Sequence, residues 1–257
     1  MDRAQMKQVV SAEEWKLRCD LAALYRLVAH YRMTDLIYTH ISARVPGEGE
    51  VFLINPYGMV FSEIKASDLV KIDIDGNLVD EGFDSPYAVN KAGFVIHSAI
   101  HRARQDVACV VHTHTAAGVA VSAQTHGLLP ISQHALKFHG CLSYHKYEGV
   151  ALDLDEQQRL VADLGENRAM ILRNHGLLVC GRTIPEAFDH IFYLERACDI
   201  QVKACAAGMD HIEFPDEAVR AHTAGQFAMK GPVKPYYELA WQAALREAGI
   251  AASDAFR

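Results

Sequence analysis

Histidines that could bind a metal lie at two points of the chain. His112 and His114 follow a β-branched run at 107–111, and His175 follows an apolar run at 169–173. Residues i and i+2 of an extended segment project to the same side, so His112 and His114 can direct both imidazoles at one ion. Neutral imidazole is a good ligand for Zn²⁺, Fe²⁺, Mn²⁺ or Co²⁺. The pair therefore predicts a divalent-metal site, with core hydrogen bonding by two histidines as the alternative.

The best third ligand is His175. Asn174 before it can turn the chain, and Gly176 after it permits close backbone approach or a positive φ. The alternative interpretation is a plain hairpin turn with an exposed imidazole. The residue types alone leave both open.

The elements that must position these histidines follow from capping and periodicity. A capping box at Ser11–Glu14, followed by apolar residues at helical spacing, predicts a helix to about residue 33. Short runs at 41–45, 51–55 and 70–74, separated by turn sequences, predict strands that pair antiparallel. Further on, predicted strands at 107–111, 169–173 and 177–180 alternate with predicted helices at 88–104, 116–123, 155–164, 185–207 and 236–248. We predict a three-layer α/β/α fold with a mixed, largely antiparallel central sheet.

Domain organisation is predicted to be simple. Residues 1–210 form one domain, and residues 211–257 form a C-terminal extension that packs on this domain or on a neighbouring subunit. The stretch 134–147, which holds three histidines, gives no clear pattern.

Composition excludes several classes of function. The chain has 257 residues, 50% of them hydrophobic, and a net charge of −7, with no Lys/Arg stripe that would bind nucleic acid. Neither a cleaved leader nor a run of eighteen apolar residues is present, so we expect a cytoplasmic protein without a membrane partner. The six scattered cysteines form no C-x-x-C pair and are interpreted as buried thiols.

Several segments carry a resemblance to a known family. They are residues 90–101 (NKAGFVIHSAIH), 106–115 (DVACVVHTHT) and 171–177 (ILRNHGL), with 38–46 (YTHISARVP) and 55–59 (NPYGM) upstream. Over about residues 15–210 the chain resembles the head domain of adducins and their bacterial relatives in the class II aldolase/adducin family. In the family's aldolases, the H-x-H pair and the later histidine bind zinc. The resemblance therefore implies that His112, His114 and His175 hold one divalent metal, zinc first, with iron or manganese as alternatives.

The chain also departs from the family's aldolases. These carry a Glu, which coordinates the metal and exchanges protons with the substrate, four residues before a helical His. Here Gly93 stands four residues before His97. The family's phosphate-gripping Gly-Asn-x-Ser motif is Thr39–Ser42, and its serine pair is Lys91-Ala92. The ordinary sugar-phosphate aldolase reaction is therefore not expected.

Further candidate residues lie near these motifs. His97 and His101 are one helical turn apart and could form a proton shuttle or a supplementary ligand, or His97 could only orient a ligating histidine. His40 replaces the family's anchoring Asn and could face the substrate or cap a turn. Lys91 could bind an anionic substrate or be solvated, and Gly58 is the other substrate-binding candidate. His97 and His40 are the catalytic candidates.

The leading functional hypothesis is a metal-dependent lyase acting on a small oxo or hydroxy acid or a related carbonyl compound. The ion would stabilise an enediolate formed by retro-aldol cleavage or decarboxylation. Decarboxylation suits Gly93 better, because loss of carbon dioxide generates the carbanion without proton abstraction. Glu63 and Glu148 are the carboxylates that could stand in for the missing Glu.

Two alternatives stay open: a non-heme iron oxygenase using the three-histidine site, and a non-catalytic adducin-like assembly or cytoskeletal-binding module. The resemblance further implies a homotetramer with active sites near subunit boundaries. Residues 134–147 or the aromatic C-terminal segment of a neighbouring subunit would then close each active site.

Overall fold

The bounds of the elements follow from a computed structural model. It describes residues 9–79, 91–149, 154–227 and 232–250, and for residues 91–93 and 154–155 only the backbone. The strands are β1 (His40–Arg44), β2 (Val51–Ile54), β3 (Val70–Asp73), β4 (Cys109–Thr113), β5 (Leu142–His145), β6 (Ala169–Leu172) and β7 (Gly176–Gly181). The helices are α1 (Ala12–His30), α2 (Lys91–Ala103), α3 (Ala116–Ser122), α4 (Gln133–Leu136), α5 (Leu154–Leu164), α6 (Ile184–Cys205), α7 (Glu217–Phe227) and α8 (Pro235–Glu247), with a 3₁₀ turn at Met209–His211.

One sheet joins all seven of these strands, in the order β3-β2-β1-β4-β7-β6-β5. Every neighbouring pair is antiparallel except β5 and β6, which run parallel. In the central strand β4, His112 pairs with His40 of β1 on one side and with Leu178 of β7 on the other. The prediction of a mixed, largely antiparallel sheet is confirmed.

Helices cover both faces of the sheet. The larger apolar core packs α1, α3, α6 and α8 against one face and includes Cys109 and Val111. A second cluster packs α2 and α5 against the opposite face and includes Val110. Because side chains alternate along a strand, His112 shares the face of Val110 and looks toward α2. The architecture is the predicted three-layer α/β/α arrangement.

Local sequence signals explain where helices begin. The Ser11 side chain accepts a hydrogen bond from the backbone N–H of Glu14 at 3.0 Å, which caps α1 as the capping-box pattern predicts. Thr183 caps α6 in the same way, with proline in the first turn. The strand β5 and the helix α7 were not predicted.

The C-terminal helix α8 packs on its own chain. Trp241 lies with its ring centroid 5.7 Å from that of Phe188, and Tyr237 lies 5.6 Å from His190, both partners being in α6. Tyr237 and Trp241 are buried by these contacts. Among the helices in the described ranges, none combines the length and apolar character needed to cross a membrane.

Candidate metal centre

The three predicted metal ligands lie together at one end of the sheet. Nε2 of His114 is 2.8 Å from Nε2 of His112 and 2.9 Å from Nε2 of His175. Within the part of the chain that the structure describes, this trio is the one group of histidine, cysteine or acidic side chains that could hold a metal ion, its ligand atoms all lying within 4.8 Å of one another. His112 is buried, whereas His114 and His175 are half-buried.

Two turns bring the trio together. His112 lies within β4 and His114 just beyond its end, while His175 lies in the turn between β6 and β7. Asn174 adopts a left-handed conformation with φ of 55°, which an Asn tolerates. A Cβ at Gly176 would come within 2.3 Å of the Thr113 carbonyl oxygen. Glycine is therefore required for this turn to approach β4 and present His175 to the pair.

Hydrogen bonds at the outer nitrogens fix the tautomers of two of the predicted ligands. Nδ1 of His112 donates to the Leu177 carbonyl oxygen at 2.9 Å, and Nδ1 of His114 donates to the Asp35 carboxylate at 3.1 Å. Since each Nδ1 carries the proton, each Nε2 carries a lone pair. Two lone pairs that face each other at 2.8 Å repel unless a cation lies beside them. The donor set therefore fits a divalent ion with nitrogen ligands.

Burial keeps the imidazoles of His112 and His175 neutral. It lowers the pKa of His112 well below its usual range, with further lowering by neighbouring His175 and His114. Burial, together with His114, lowers the pKa of His175 to about 4. Neutral imidazole is the form that binds metal, so proton competition is weak near neutral pH.

Asp35 is a functional candidate that the sequence analysis missed. It lies after α1 in a segment where Arg32, Leu36 and Thr39 all have positive φ, at 58°, 48° and 75°. This irregular path carries the carboxylate to His114 without any periodic pattern that would mark it. A carboxylate behind a ligating histidine is a common arrangement in metal sites, where it orients the ring and raises its basicity.

His40 and His97 extend the site toward α2. The His40 ring stacks on His112 with centroids 5.7 Å apart, and the His97 ring meets His40 edge to face at 5.5 Å. His40 is 5% exposed and His97 fully buried. Neither belongs to the trio of potential ligands.

A buried serine joins the two helical histidines. Ser42 Oγ lies 2.6 Å from Nδ1 of His97 and 2.8 Å from Nε2 of His101, so the two histidines share a face as expected. Among the described residues, Nε2 of His97 has no hydrogen-bond partner. Burial lowers the pKa of each imidazole to about 3.

The substrate-binding candidates are less defined. Gly58 lies in the turn after β2 with φ of 103°, at the same end of the sheet as His40. Lys91 and Gly93 belong to α2, but their side-chain positions lie outside the described residues.

The expected substitute carboxylates are engaged elsewhere. Glu63 accepts a hydrogen bond from the backbone N–H of Val60 at 2.8 Å, and Glu148 pairs with Arg159. Neither lies in the group around the histidines. Neither is therefore placed to replace the missing Glu, and among the described residues the carboxylate that hydrogen-bonds to the trio is that of Asp35, behind His114.

One exposed aromatic ring lies beside the site. The Tyr147 ring centroid is 6.3 Å from that of His175, and the Tyr147 side chain is 53% exposed. Tyr38, near Asp35 in sequence, is 49% exposed and lies 6.5 Å from the ring of Tyr57.

Comparisons with known proteins agree with this geometry. The family model for the class II aldolase and adducin N-terminal domain matches residues 19–202. A provisionally assigned aldolase class 2 protein of Pseudomonas aeruginosa is 52% identical over 247 residues, covering 95% of this chain and 93% of the relative. Alpha-adducin of Rattus norvegicus is 48% identical over 203 residues, covering 78% of this chain but 27% of adducin.

Solved structures give the same result. The crystal structure of an aldolase II superfamily protein from Pseudomonas syringae superposes with a TM-score of 0.92 at 51% identity, covering 97% of this chain and 98% of that one. An L-fuculose 1-phosphate aldolase from Glaciozyma antarctica superposes with a TM-score of 0.83 at 28% identity, covering 96% of this chain and 94% of that one.

Proposed function

The chain belongs to the class II aldolase and adducin family, and from this premise we propose that it is a metal-dependent lyase acting on a small oxo or hydroxy acid or a related carbonyl compound. The observation that carries the proposal is the convergence of three imidazole Nε2 atoms, together with the hydrogen bonds that hold Nδ1 of His112 on Leu177 and Nδ1 of His114 on Asp35. A site built only for packing would not need two lone pairs aimed at each other.

His112, His114 and His175 are the proposed ligands of one divalent ion, zinc first, with iron or manganese as the alternatives. When bound, such an ion polarises a substrate carbonyl and stabilises negative charge on its oxygen. Leu177 and Asp35 hold the two imidazoles of the H-x-H pair in the orientation that ligation needs.

We propose that His40 forms the inner wall of the substrate site and that His97 packs behind it. His40 lies between His97 and His112, so a proton delivered at the reacting carbon would come from the direction of His40. His97 is fully buried and holds its Nδ1 against Ser42, which makes it a positioning group behind His40. Lys91 and Gly58 are the proposed substrate-binding residues.

Decarboxylation is the reaction that this set of residues supports best. In a 3-oxo acid, the bond between C2 and the carboxylate carbon breaks, carbon dioxide leaves, and the electron pair passes to the oxygen of the C3 carbonyl, after which C2 takes up a proton. No base is needed to remove a substrate proton, and Gly93 supplies none. Retro-aldol cleavage of the family type would need such a base.

The direct test measures metal content and product release together. Metal-loaded protein is incubated with a panel of small 3-oxo acids, which can lose carbon dioxide, and 3-hydroxy carbonyl compounds, which can undergo retro-aldol cleavage, while carbon dioxide and aldehyde are quantified. We expect carbon dioxide release that is lost in His114→Ala and kept in His126→Ala, an exposed histidine outside the trio. Equal turnover by the metal-stripped protein would reject the proposal.

Position 93 gives a second test. Residue 93 lies one turn before His97 in α2, on the helix face that His97 directs toward His40. We expect Gly93→Glu to tighten metal binding in a chelator competition and to shift the products from carbon dioxide toward aldehyde. An unchanged metal affinity would place residue 93 away from the ion.

A non-catalytic role is the second candidate, favoured by the 48% identity to alpha-adducin. This chain spans about a quarter of that protein, so the adducin activity as a whole does not transfer. Full metal occupancy with no turnover of any panel member would support an assembly module. Oxygen uptake by the iron-loaded protein with a 2-oxo acid would instead support the oxygenase alternative.

A homotetramer is also proposed. The exposed Tyr147 ring beside His175 suits a site that a neighbouring subunit walls off from water. Light scattering coupled to size exclusion should give about four times the 28.5 kDa chain mass. A mass of one chain at micromolar concentration would refute assembly.

A further inference from the structure

A cavity separate from the metal centre lies between α4, α6 and α8, on the face of the sheet opposite to α2. Its volume is about 360 Å³, and Lys137, Asp189, Tyr193, Phe227 and Tyr236 are among the residues that line it. This size lies at the lower end of the roughly 300–1,000 Å³ that small-molecule sites occupy. None of the metal trio contributes to its wall.

A buried ion pair forms part of the wall of this cavity. Lys137 and Asp189 are each 3% exposed, and Nζ of Lys137 donates to Oδ1 of Asp189. Within the described residues, this is the sole hydrogen bond that either side chain makes. An ammonium has three donors and a carboxylate two acceptor oxygens, so two N–H groups and one oxygen are left over.

Such a pair is costly to bury unless its remaining bonding capacity is used. A cation–π interaction with the Tyr193 ring partly stabilises the ammonium, since Nζ of Lys137 lies 4.7 Å from the ring centroid. The ring cannot replace hydrogen bonds to the remaining donors, and it offers nothing to the second oxygen of Asp189. A ligand in the cavity can supply both.

The matching ligand must itself carry a positive and a negative group. A purely anionic ligand would be repelled by the Asp189 carboxylate, and a purely cationic ligand would be repelled by the Lys137 ammonium. A zwitterion whose charges are separated by two bonds pairs with both, and the rings of Tyr193, Tyr236 and Phe227 offer an apolar wall beside it.

We propose that this cavity binds a free α-amino acid with an apolar or aromatic side chain. The ligand carboxylate accepts hydrogen bonds from Lys137, and the ligand ammonium donates to Asp189. The apolar side chain lies against Tyr236 and Phe227. The site is independent of the metal centre and of the lyase proposal.

Calorimetric titration of the full chain with three probes tests the pairing. L-phenylalanine carries both charges, 3-phenylpropanoate lacks the ammonium, and 2-phenylethylamine lacks the carboxylate. Each lost charge-assisted hydrogen bond should weaken binding by about tenfold or more. Equal affinity for all three probes, or binding by none of them, would overturn the proposal.

Amino acids also chelate metals, so the same titration is run on His114→Ala. Binding at the proposed cavity should be unchanged in this variant, because His114 does not line it. Loss of binding would place the amino acid at the histidine trio instead and would reject the second site, without bearing on the lyase proposal.

Variants of the cavity complete the test. Removing one charge would strand the other, so the pair is replaced together in K137M/D189L, which keeps apolar volume in both places. Binding should fall at least about tenfold in this variant and in Tyr236→Ala, and it should persist in Leu239→Ala, which is 70% exposed on the same helix. Undiminished binding by K137M/D189L would exclude the ion pair as the recognition element.

Discussion

The Asp35 carboxylate lies 3.1 Å from Nδ1 of His114, although 79 residues separate the two in the chain. This contact holds the proton on Nδ1 and leaves Nε2 for the trio. We expect Asp35→Ala to lower zinc affinity by roughly 10–100-fold, the range typical for partners behind a ligating histidine. Competition with a chromophoric chelator measures the change. Asp20→Asn, which alters an exposed pair with Lys16, is the control and should bind zinc like the parent.

Gly176→Ala should disturb the turn that carries His175. The added Cβ would meet the Thr113 carbonyl oxygen at 2.3 Å, so the turn must move away from β4. We expect a loss of about 1–3 kcal/mol in unfolding free energy, together with weaker metal binding. Gly225→Ala is the matched control, because its Cβ meets nothing within 4 Å in α7, and it should stabilise by about 0.4–1 kcal/mol. Equal unfolding free energies for the two variants in denaturant titrations would contradict the packing argument.

Ser42→Ala should leave two buried imidazoles without their shared partner. Both Nδ1 of His97 and Nε2 of His101 lose a hydrogen bond, and a stranded buried group costs about 1–3 kcal/mol. Ser122→Ala is the comparison, since among the described residues that buried hydroxyl bonds only to the carbonyl of Val119, one turn earlier. Urea unfolding should show the larger loss for Ser42→Ala. A smaller loss there than in Ser122→Ala would mean that Ser42 does not hold the histidines.

Acid should destabilise the fold through His97 and His101. Their folded pKa of about 3 lies below the unfolded value of about 6.5, so the unfolded chain binds more protons between these values. The contribution of these two histidines to the free energy of unfolding is fully present above about pH 6.5. It decreases as the pH falls, by about 1.4 kcal/mol per pH unit for each histidine. His101→Leu should reduce the slope of unfolding free energy between pH 4 and 6 by about that amount. The exposed His126→Ala should leave it unchanged.

Much of the architecture was predictable because it rests on local signals. Ser11 caps α1, and Pro185 lies in the first turn of α6, so those helices begin where the sequence indicates. The strands around His112 are short apolar runs bounded by turns. The strand β5 escaped prediction because its buried positions are the polar Ser143 and His145, and because it pairs with β6 in parallel, which no hairpin turn signals.

The surroundings of the trio were less predictable. The sequence places His112 and His114 on one side of a strand, but it contains nothing that links Asp35 to His114 or Ser42 to His101. These contacts depend on how α1, β1 and α2 pack against β4, which is a property of the tertiary structure. Three residues with positive φ before β1 add a path that propensity does not anticipate.

The order of the strands also bears on how the protein folds. Neighbours in the centre of the sheet come from distant parts of the chain, β4 lying between β1 and β7. Contacts of such long sequence separation form late, because loop-closure entropy must be overcome first. Of the trio, the unfolded chain therefore holds only His112 and His114 close together, and the third imidazole arrives when β4 and β7 dock. Zinc bound by all three histidines would thus stabilise the completed fold without nucleating it, and it would slow unfolding more than it speeds refolding.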